Sequence, residues 1–285
     1  MRGYRLVFFI FILWLFLFIF SNFKKSVFLS RKDRINILFY GKKTVIFSLG
    51  FKNNLSYLIF YPSNLYLEVP GGYGFYRVGG LGKLVALEKK PQLFKKTFSS
   101  NSSFFLDIYF YPRKEEIYYE SAEEKNLWPR FLEIFLSSSN ANFLDRIFCV
   151  YYLIVKKPNS YQLIKLDGKN FDRSQSFKKY QGLFYKRTYR QEKLTVQIFY
   201  KKNYYVADLI SQILEGEGIR VVDISQEEGD LEKRCFVYHS SNKPTRTALD
   251  ISRFFNCFLE KKETPISDII IRLGSLEKDW EVYRR

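Results

Sequence analysis

The chain begins with a long apolar run. Residues 6–20, "LVFFIFILWLFLFIF", are apolar without interruption, and residues 21–23 extend the run to the first lysine. At about 1.5 Å rise per residue, 18 helical residues cover roughly 27 Å, close to the roughly 30 Å of a bilayer's hydrocarbon core. No small-residue cleavage site follows the run. The pattern therefore predicts an uncleaved signal anchor, a transmembrane helix over 6–23 within an anchor and stalk of residues 1–30.

Short β-type runs dominate residues 31–168. The stretches 35–41, 44–50 and 55–61 are rich in β-branched and aromatic residues and end at glycine or polar turns, which is typical of strands. Leucines at helical spacing follow in 81–90. Further elements are predicted as a strand at 104–111, helices at 127–138 and 141–155, and a strand at 161–168. Together these elements predict an α/β domain with a mixed sheet.

The run "NLYLEVP" alternates between apolar and polar residues. Leu65, Leu67 and Val69 fall on one face, whereas Tyr66 and Glu68 fall on the other. The alternation predicts a half-buried strand with Glu68 on its polar face.

Residues 169–193 are polar and basic, and they predict an inter-domain linker. Residues 194–285 then predict a small two-layer α/β domain in the order β-α-β-β-α-β, because a strand, an amphipathic helix and a second strand form a parallel βαβ unit. The strands are expected at 194–200, 219–225, 235–241 and 267–275, and the helices at 205–218 and 244–259. In the first helix the inward side chains are expected to be Val206, Ile210, Ile213 and Leu214.

The net charge of +17 is concentrated in the first two thirds of the chain. Residues 1–193 carry +18, whereas residues 194–285 carry −1. Such a field attracts anionic lipids or phosphate-bearing polymers. The lysines come as scattered doublets without a long basic helix or zinc-finger spacing. No nucleic-acid partner is therefore expected.

A stretch rich in glycine and tyrosine, "GGYGFYRVGGLGK" (71–83), raises the question of a binding loop. It is not a phosphate-binding P-loop, because Leu84 follows its final glycine and lysine. Two interpretations stay open. The glycines form turns of positive φ, or the loop faces a sugar or phosphate ligand through Tyr73, Tyr76, Arg77 and Lys83.

The cysteines and the one histidine show no metal-binding spacing. Cys149 is expected to be a core thiol. Cys235 and Cys257 are expected to be core thiols as well, with a disulfide between them as the alternative. His239 is expected at the surface. Neither a metal site nor a cofactor is predicted.

Residues 194–285 resemble the C-terminal domain of LytR/CpsA/Psr-type cell-envelope proteins. The matching features are the pattern V-A-x-x-I-x-x-x-L-x-x-x-G-I-x-V-V across Val206 to Val222, the helix that carries Ala248, and the closing "IIIRLG". The departure is at 201–203, "KKN", where the family has an Asn-Gly pair. The anchor, "INILFYG" and "YPSNLYLEVPGGYG" likewise resemble a reduced form of the family's catalytic domain.

The resemblance implies a phosphotransferase fold that moves polyprenyl-pyrophosphate-linked glycopolymers onto peptidoglycan outside the membrane. That chemistry uses arginines on the diphosphate and carboxylates on a divalent cation. Where the family has Pro-Arg-Asp-Thr, this chain has Pro62, Ser63, Asn64 and Leu65. The resemblance therefore implies a degenerate site without catalytic residues.

The predicted function is that of a non-catalytic envelope protein in the plasma membrane. It would have one membrane pass, a cytoplasmic N-terminus and an extracytoplasmic body that binds wall polymer, polyprenyl-phosphate lipid or a protein partner. The side of the membrane rests on the resemblance, because flanking charge alone favours a cytoplasmic body. The alternative is an active glycopolymer phosphotransferase with relocated groups, Arg77, Arg113 and Asp107.

Overall fold

A computed structural model describes residues 2–30, 32–52, 55–114, 116–119, 127–155, 161–166 and 171–283. The first element is α1, Arg2–Lys25, a helix of 24 residues. None of the helices in the described residues has both the length and the apolar composition that crossing a membrane requires.

The first region is built on a six-stranded mixed sheet. Its strands and the adjacent hairpin are β1 Arg34–Phe39, β2 Thr44–Gly50, β3 Ser56–Tyr61, β4 Tyr66–Val69, β5 Gly74–Arg77, β6 Ile108–Tyr111, β7 Ser138–Ser139 and β8 Tyr161–Lys165. The order across the sheet is β7-β6-β1-β2-β3-β8, and β4 and β5 pair separately. β1 runs antiparallel to β2 and parallel to β6, so the predicted mixed α/β arrangement is confirmed.

Helices cover both faces of this sheet, so its central strands β1, β2 and β3 are buried on both sides. They are α2 Leu81–Glu88, α3 Gln92–Ser102, α4 Phe131–Leu136 and α5 Phe143–Val150, which continues as a π-helix over Tyr151–Val155. Leu38 packs with α2 and α3, whereas its neighbours Ile37 and Phe39 pack on the face of α4 and α5. α3 was not predicted from the sequence; its residues "QLFKKTFSSNS" include only three apolar side chains, Leu93, Phe94 and Phe98.

The C-terminal region contains a five-stranded sheet that shares one apolar core with all its helices except the first, whose Tyr180 packs against the core of the first region. Its elements are α6 Arg173–Tyr180, α7 Arg187–Glu192, β9 Thr195–Tyr200, α8 Tyr204–Glu217, β10 Arg220–Gln226, β11 Phe236–His239, α9 Arg246–Phe255, β12 Phe258–Lys261, β13 Ile269–Arg272 and α10 Leu276–Asp279. The parallel pairing of β9 with β10 confirms the predicted βαβ unit. The prediction missed β12, which pairs with β11 at the sheet edge.

The two regions pack against each other closely. Phe105 and Tyr189 belong to the same apolar core as α8, α9 and the five-stranded sheet. A Cβ atom on Gly216 would lie 1.7 Å from the carbonyl oxygen of Ser103, so α8 can approach this backbone only through glycine. Residues 173–192, within the predicted linker, form α6 and α7, and Tyr189 from α7 is buried.

Two expectations about single residues, Glu68 and His239, were wrong, and the disulfide, one of the two alternatives for Cys235 and Cys257, is present. Glu68 is buried rather than on a polar face, because its carboxylate accepts a hydrogen bond from the Tyr283 amide and pairs with Arg173 at 3.3 Å. His239 is buried at the end of β11. Cys235 and Cys257 form a disulfide with a Cα–Cα distance of 4.8 Å. Cys149 is a buried free thiol, as expected.

Candidate functional site

The four residues predicted to bind a ligand do not converge on one site. Gly71, Gly72 and Gly74 have φ of 95°, 80° and 78°, so the start of the glycine-rich stretch is the turn of the β4–β5 hairpin. Tyr76 packs against the core of the sheet, and Lys83 is exposed on α2.

The other two predicted residues are held by neighbouring side chains. Arg77 donates from Nε to the Tyr66 hydroxyl at 2.7 Å. The Tyr73 hydroxyl donates to Glu88 at 2.7 Å and accepts from Lys90 at 3.1 Å. Of the four, Tyr73 lines a cavity of about 470 Å³, which we call the hairpin cavity; its basic residues are Lys89, Lys90, Lys96 and Lys278.

A second open cavity, of about 450 Å³, lies beside the end of α1 and has a stronger concentration of positive charge. We call it the basic cavity. Its charged lining comprises Lys24, Lys25, Lys32, Lys95, Arg246, Arg253, Asp107 and Asp250. Phe105, Leu106 and Phe254 give it an apolar wall. Six cations therefore face two carboxylates around one space.

Four separate elements bring these cations together. Lys24 and Lys25 form the last turn of α1, and Lys32 precedes β1. Lys95 lies on α3. Arg246 and Arg253 lie on α9, seven residues and thus about two turns apart on one side of the helix. The sequence shows no cluster of these residues, because only the fold brings α1, α3 and α9 together.

Lys95 is the most perturbed cation of the basic cavity. Its ammonium donates to the backbone carbonyl of Phe254 at 2.8 Å and lies 4.0 Å from the centre of the Phe254 ring. Burial and the nearby charge of Lys32 lower its pKa to about 8, and Asp107 offsets only part of this effect. An anion in the cavity would favour the charged form of Lys95.

Both carboxylates of the cavity already have partners within the protein. Asp107 pairs with Lys32 and accepts from the Asn36 amide at 3.0 Å. Burial acts to raise the pKa of Asp107, but Lys186 and Lys32 outweigh it and hold the pKa below its ordinary value.

Asp250 accepts hydrogen bonds from Arg246 at 2.8 Å and from the Tyr189 hydroxyl at 3.0 Å. Within the described part of the chain, Lys24, Lys25, Lys95 and Arg253 have no carboxylate partner. These four cations are therefore available to an anionic ligand.

A buried ion cluster beneath the cavity fixes the backbone at Phe105. Lys186 lies 2.7 Å from Glu217 and 4.0 Å from Asp107, and all three side chains are at most 2% exposed. The second oxygen of Glu217 accepts from the Phe105 amide at 2.6 Å. Burial acts to lower the pKa of Lys186, but Asp107 and Glu217 outweigh it and raise that pKa. The cluster thus holds the cavity wall in place.

The residues proposed for relocated catalysis are not gathered together. Asp107 lines the basic cavity, whereas Arg77 and Arg113 are not among its lining residues. At Pro62–Leu65 the backbone turns, with the Leu65 amide donating to the Pro62 carbonyl at 3.1 Å, and Leu65 is buried. In the part of the chain that the structure describes, no group of three or more His, Cys, Asp or Glu side chains is placed to hold a metal.

No protein-family model matches the chain, and no curated protein matches it significantly. Several solved structures show a weak likeness. TagU of Bacillus subtilis is 14% identical, with a TM-score of 0.24, and the match covers 28% of this chain and 35% of TagU. This chain thus spans about a third of TagU's length.

Two further structures match over longer spans. A transcriptional regulator of Enterococcus faecalis is 6% identical over 66% of this chain and 89% of its own, with a TM-score of 0.35. The LytR-CPS2A-psr family protein YwtF (TagT) with bound octaprenyl pyrophosphate lipid is 14% identical over 68% and 78%, with a TM-score of 0.25. The neighbours thus include LytR-CPS2A-psr proteins, but matches this weak carry no functional argument.

Proposed function

We propose that the chain is a membrane-anchored envelope protein that binds a phosphate-bearing ligand in the basic cavity without transferring it. The observation that carries the proposal is the position of this cavity. It opens beside the last turn of α1 and presents four cations without carboxylate partners in the described structure. Lysine and arginine side chains around a partly enclosed space favour phosphate, because desolvation strengthens charge-assisted hydrogen bonds.

The proposed anchor is α1. Its described apolar side chains include Phe9 and Phe16, which are 76% and 62% exposed. Exposed apolar side chains along a helix are unfavourable in water and favourable in lipid. An anchor here would place Lys24 and Lys25, and with them the basic cavity, at the level of the phospholipid headgroups.

We place the body outside the cytoplasm. The disulfide between Cys235 and Cys257 supports this side, because disulfides persist in oxidising compartments. The resemblance of 194–285 to LytR/CpsA/Psr-type proteins favours the same side. A C-terminal reporter that is active only in the cytoplasm would contradict it.

The ligand is best described as a phosphate joined to an apolar or polymeric chain. The cations of the basic cavity fit the phosphate, and the wall of Phe105, Leu106 and Phe254 fits an isoprenoid or acyl chain. Polyprenyl-phosphate lipid and anionic wall polymer share this chemistry. Both are ligands that the sequence resemblance implies.

Binding without transfer is supported by the residues that are present. The arginine and aspartate of the family's Pro-Arg-Asp-Thr motif are replaced by Ser63 and Asn64, which carry no charge. Asp107 is paired with Lys32 and lies near Lys186, and Arg77 and Arg113 are not among the residues that line its cavity. A diphosphate transfer requires about 8 kcal/mol or more of transition-state stabilisation, mostly from placed charge.

The test uses the full chain in phosphatidylcholine nanodiscs, with and without polyprenyl phosphate, and a soluble glycerol phosphate oligomer as competitor. The double variant Lys95→Gln/Arg253→Gln should weaken binding at least about ten-fold, since it removes two charge-assisted contacts. The control Lys243→Gln/Lys262→Gln removes two cations that do not line the cavity and should bind like the wild type. Equal losses in both double variants would refute this site.

A further inference from the structure

The outward face of α5 and its π-helical continuation carries an apolar stripe. It consists of Phe143, Ile147, Tyr151 and Val155, which are 50%, 42%, 47% and 69% exposed. The four residues are spaced by four positions, so they lie on one side of the helix. The opposite side, with Cys149 and Leu153, is fully buried against the six-stranded sheet. Monomeric soluble proteins seldom leave such a face open to water.

The polar residues of α5 are used within the protein and do not interrupt the stripe. Asp145 accepts a hydrogen bond from the Ser26 hydroxyl at 2.7 Å. Arg146 donates to the carbonyls of Ile134, Phe135 and Ser137 at the end of α4. The neighbouring helix α4 exposes more apolar side chains, Phe131, Leu132 and Leu136.

The stripe begins at the end of α1. The Asn142 side chain donates to the carbonyl of Asn22 at 2.9 Å, and the Phe143 amide donates to the Asn22 side chain at 3.3 Å. Phe28, just after α1, stacks on Phe148 of α5 with ring centres 5.4 Å apart. The first residue of the stripe is therefore fixed at the level where the apolar run of α1 ends.

We propose that this apolar stripe lies in the headgroup region of the same bilayer that holds α1, and that phospholipid is its occupant. The stripe is continuous with the proposed anchor. The stripe is bonded to the last turns of α1, and Lys24 and Lys25 lie at the same level to meet lipid phosphates. Phenylalanine, tyrosine and aliphatic side chains favour this interfacial layer. The inference rests on the proposed anchor, and it adds that the body lies against the membrane.

The test is nitroxide labelling of the full chain, one molecule per nanodisc. Cys149 is buried and the other native cysteines are paired, so introduced cysteines take the label. Phe143→Cys and Ile147→Cys probe the stripe. Leu87→Cys on α2, 68% exposed, is the matched apolar control. Phe16→Cys tests whether α1 lies in the lipid. The measured quantity is the ratio of relaxation by oxygen, which concentrates in lipid, to relaxation by a water-soluble nickel chelate.

For labels at 143 and 147, the ratio of oxygen to nickel relaxation should be several-fold higher than at 87 and lower than at 16. A high ratio, typical of lipid, at 16 together with low ratios, typical of water, at 143 and 147 would overturn the inference but remain consistent with the anchor. Protection of 143 and 147 from both reagents would mean that protein covers the stripe, which also overturns it. Low ratios, typical of water, at all four positions would contradict both the anchor and this inference. Phosphate binding in the basic cavity has its own test, described above, so its outcome can be told apart from this one.

Discussion

The pH dependence of phosphate binding should report the environment of Lys95. Its pKa is lowered to about 8, so it loses its proton around pH 8, whereas an ordinary lysine keeps its proton to about pH 10. At pH 7 roughly 90% of the unliganded protein has a charged Lys95, and at pH 9 roughly 10% does. In the complex, the phosphate charge raises the Lys95 pKa, so the bound protein stays protonated throughout.

The expected magnitude follows from this linkage. If the ligand binds the protonated form, the dissociation constant should rise about ten-fold from pH 7 to pH 9, equivalent to about 1.4 kcal/mol. The sign is fixed, because binding favours the protonated lysine and rising pH removes it. A glycerol phosphate oligomer is a suitable ligand, since its phosphodiesters keep their charge over this range.

The assay is isothermal titration of the full chain in detergent at four pH values and constant ionic strength. Lys95→Arg is the matched control, because a guanidinium stays charged up to pH 9. This variant should bind with nearly constant affinity. A wild-type profile as flat as that of Lys95→Arg would refute the placement of phosphate beside Lys95. A steep profile in both proteins would assign the titration to another group.

Three further predictions concern the rest of the fold. Lys186→Met should lower the free energy of unfolding by about 3–5 kcal/mol in urea titrations, because Glu217 is left buried without its cation and Asp107 keeps only Lys32. Adding Glu217→Gln should restore part of this loss, and a loss below about 1 kcal/mol would contradict the cluster's role. Cys235→Ser/Cys257→Ser should cost about 3 kcal/mol through the 22-residue separation that the disulfide closes, and an unchanged unfolding midpoint would count against a disulfide in the folded protein. Arg77→Ala should change the free energy of unfolding by less than about 0.5 kcal/mol and leave phosphate binding in the basic cavity intact. The reason is that, among the described contacts, the Arg77 side chain contacts only the exposed Tyr66. Weaker phosphate binding in this variant would indicate that the β4–β5 hairpin belongs to the binding site.

Sequence periodicity predicted the elements that depend on local patterns. In α8, Val206, Ile210, Ile213 and Leu214 are all fully buried, as the helical spacing requires. Alternation failed at Glu68, because the groups that bury its carboxylate, Arg173 and the Tyr283 amide, lie more than 100 residues away.

The site was less accessible to sequence reasoning than the fold. Lys24, Lys95 and Arg253 are separated by 71 and 158 positions, so only the packing of α1, α3 and α9 makes them neighbours. The glycine-rich stretch stood out by its composition, but its first glycines serve to form the turn of the β4–β5 hairpin. The lysine doublet at 95–96 was visible in the sequence, but nothing local distinguished it from the other doublets.

The close contact of Gly216 with Ser103 bears on how the protein can be divided. Phe105 lies inside the core of the C-terminal sheet, and Lys186 bridges Asp107 to Glu217, so buried side chains join the two regions. A chain cut near residue 193 would expose an apolar surface and leave Glu217 without its cation, Lys186. We therefore expect the body to melt as one cooperative unit. Exchanging the C-terminal region between homologues would succeed only if 103–107 and 184–190 were exchanged with it.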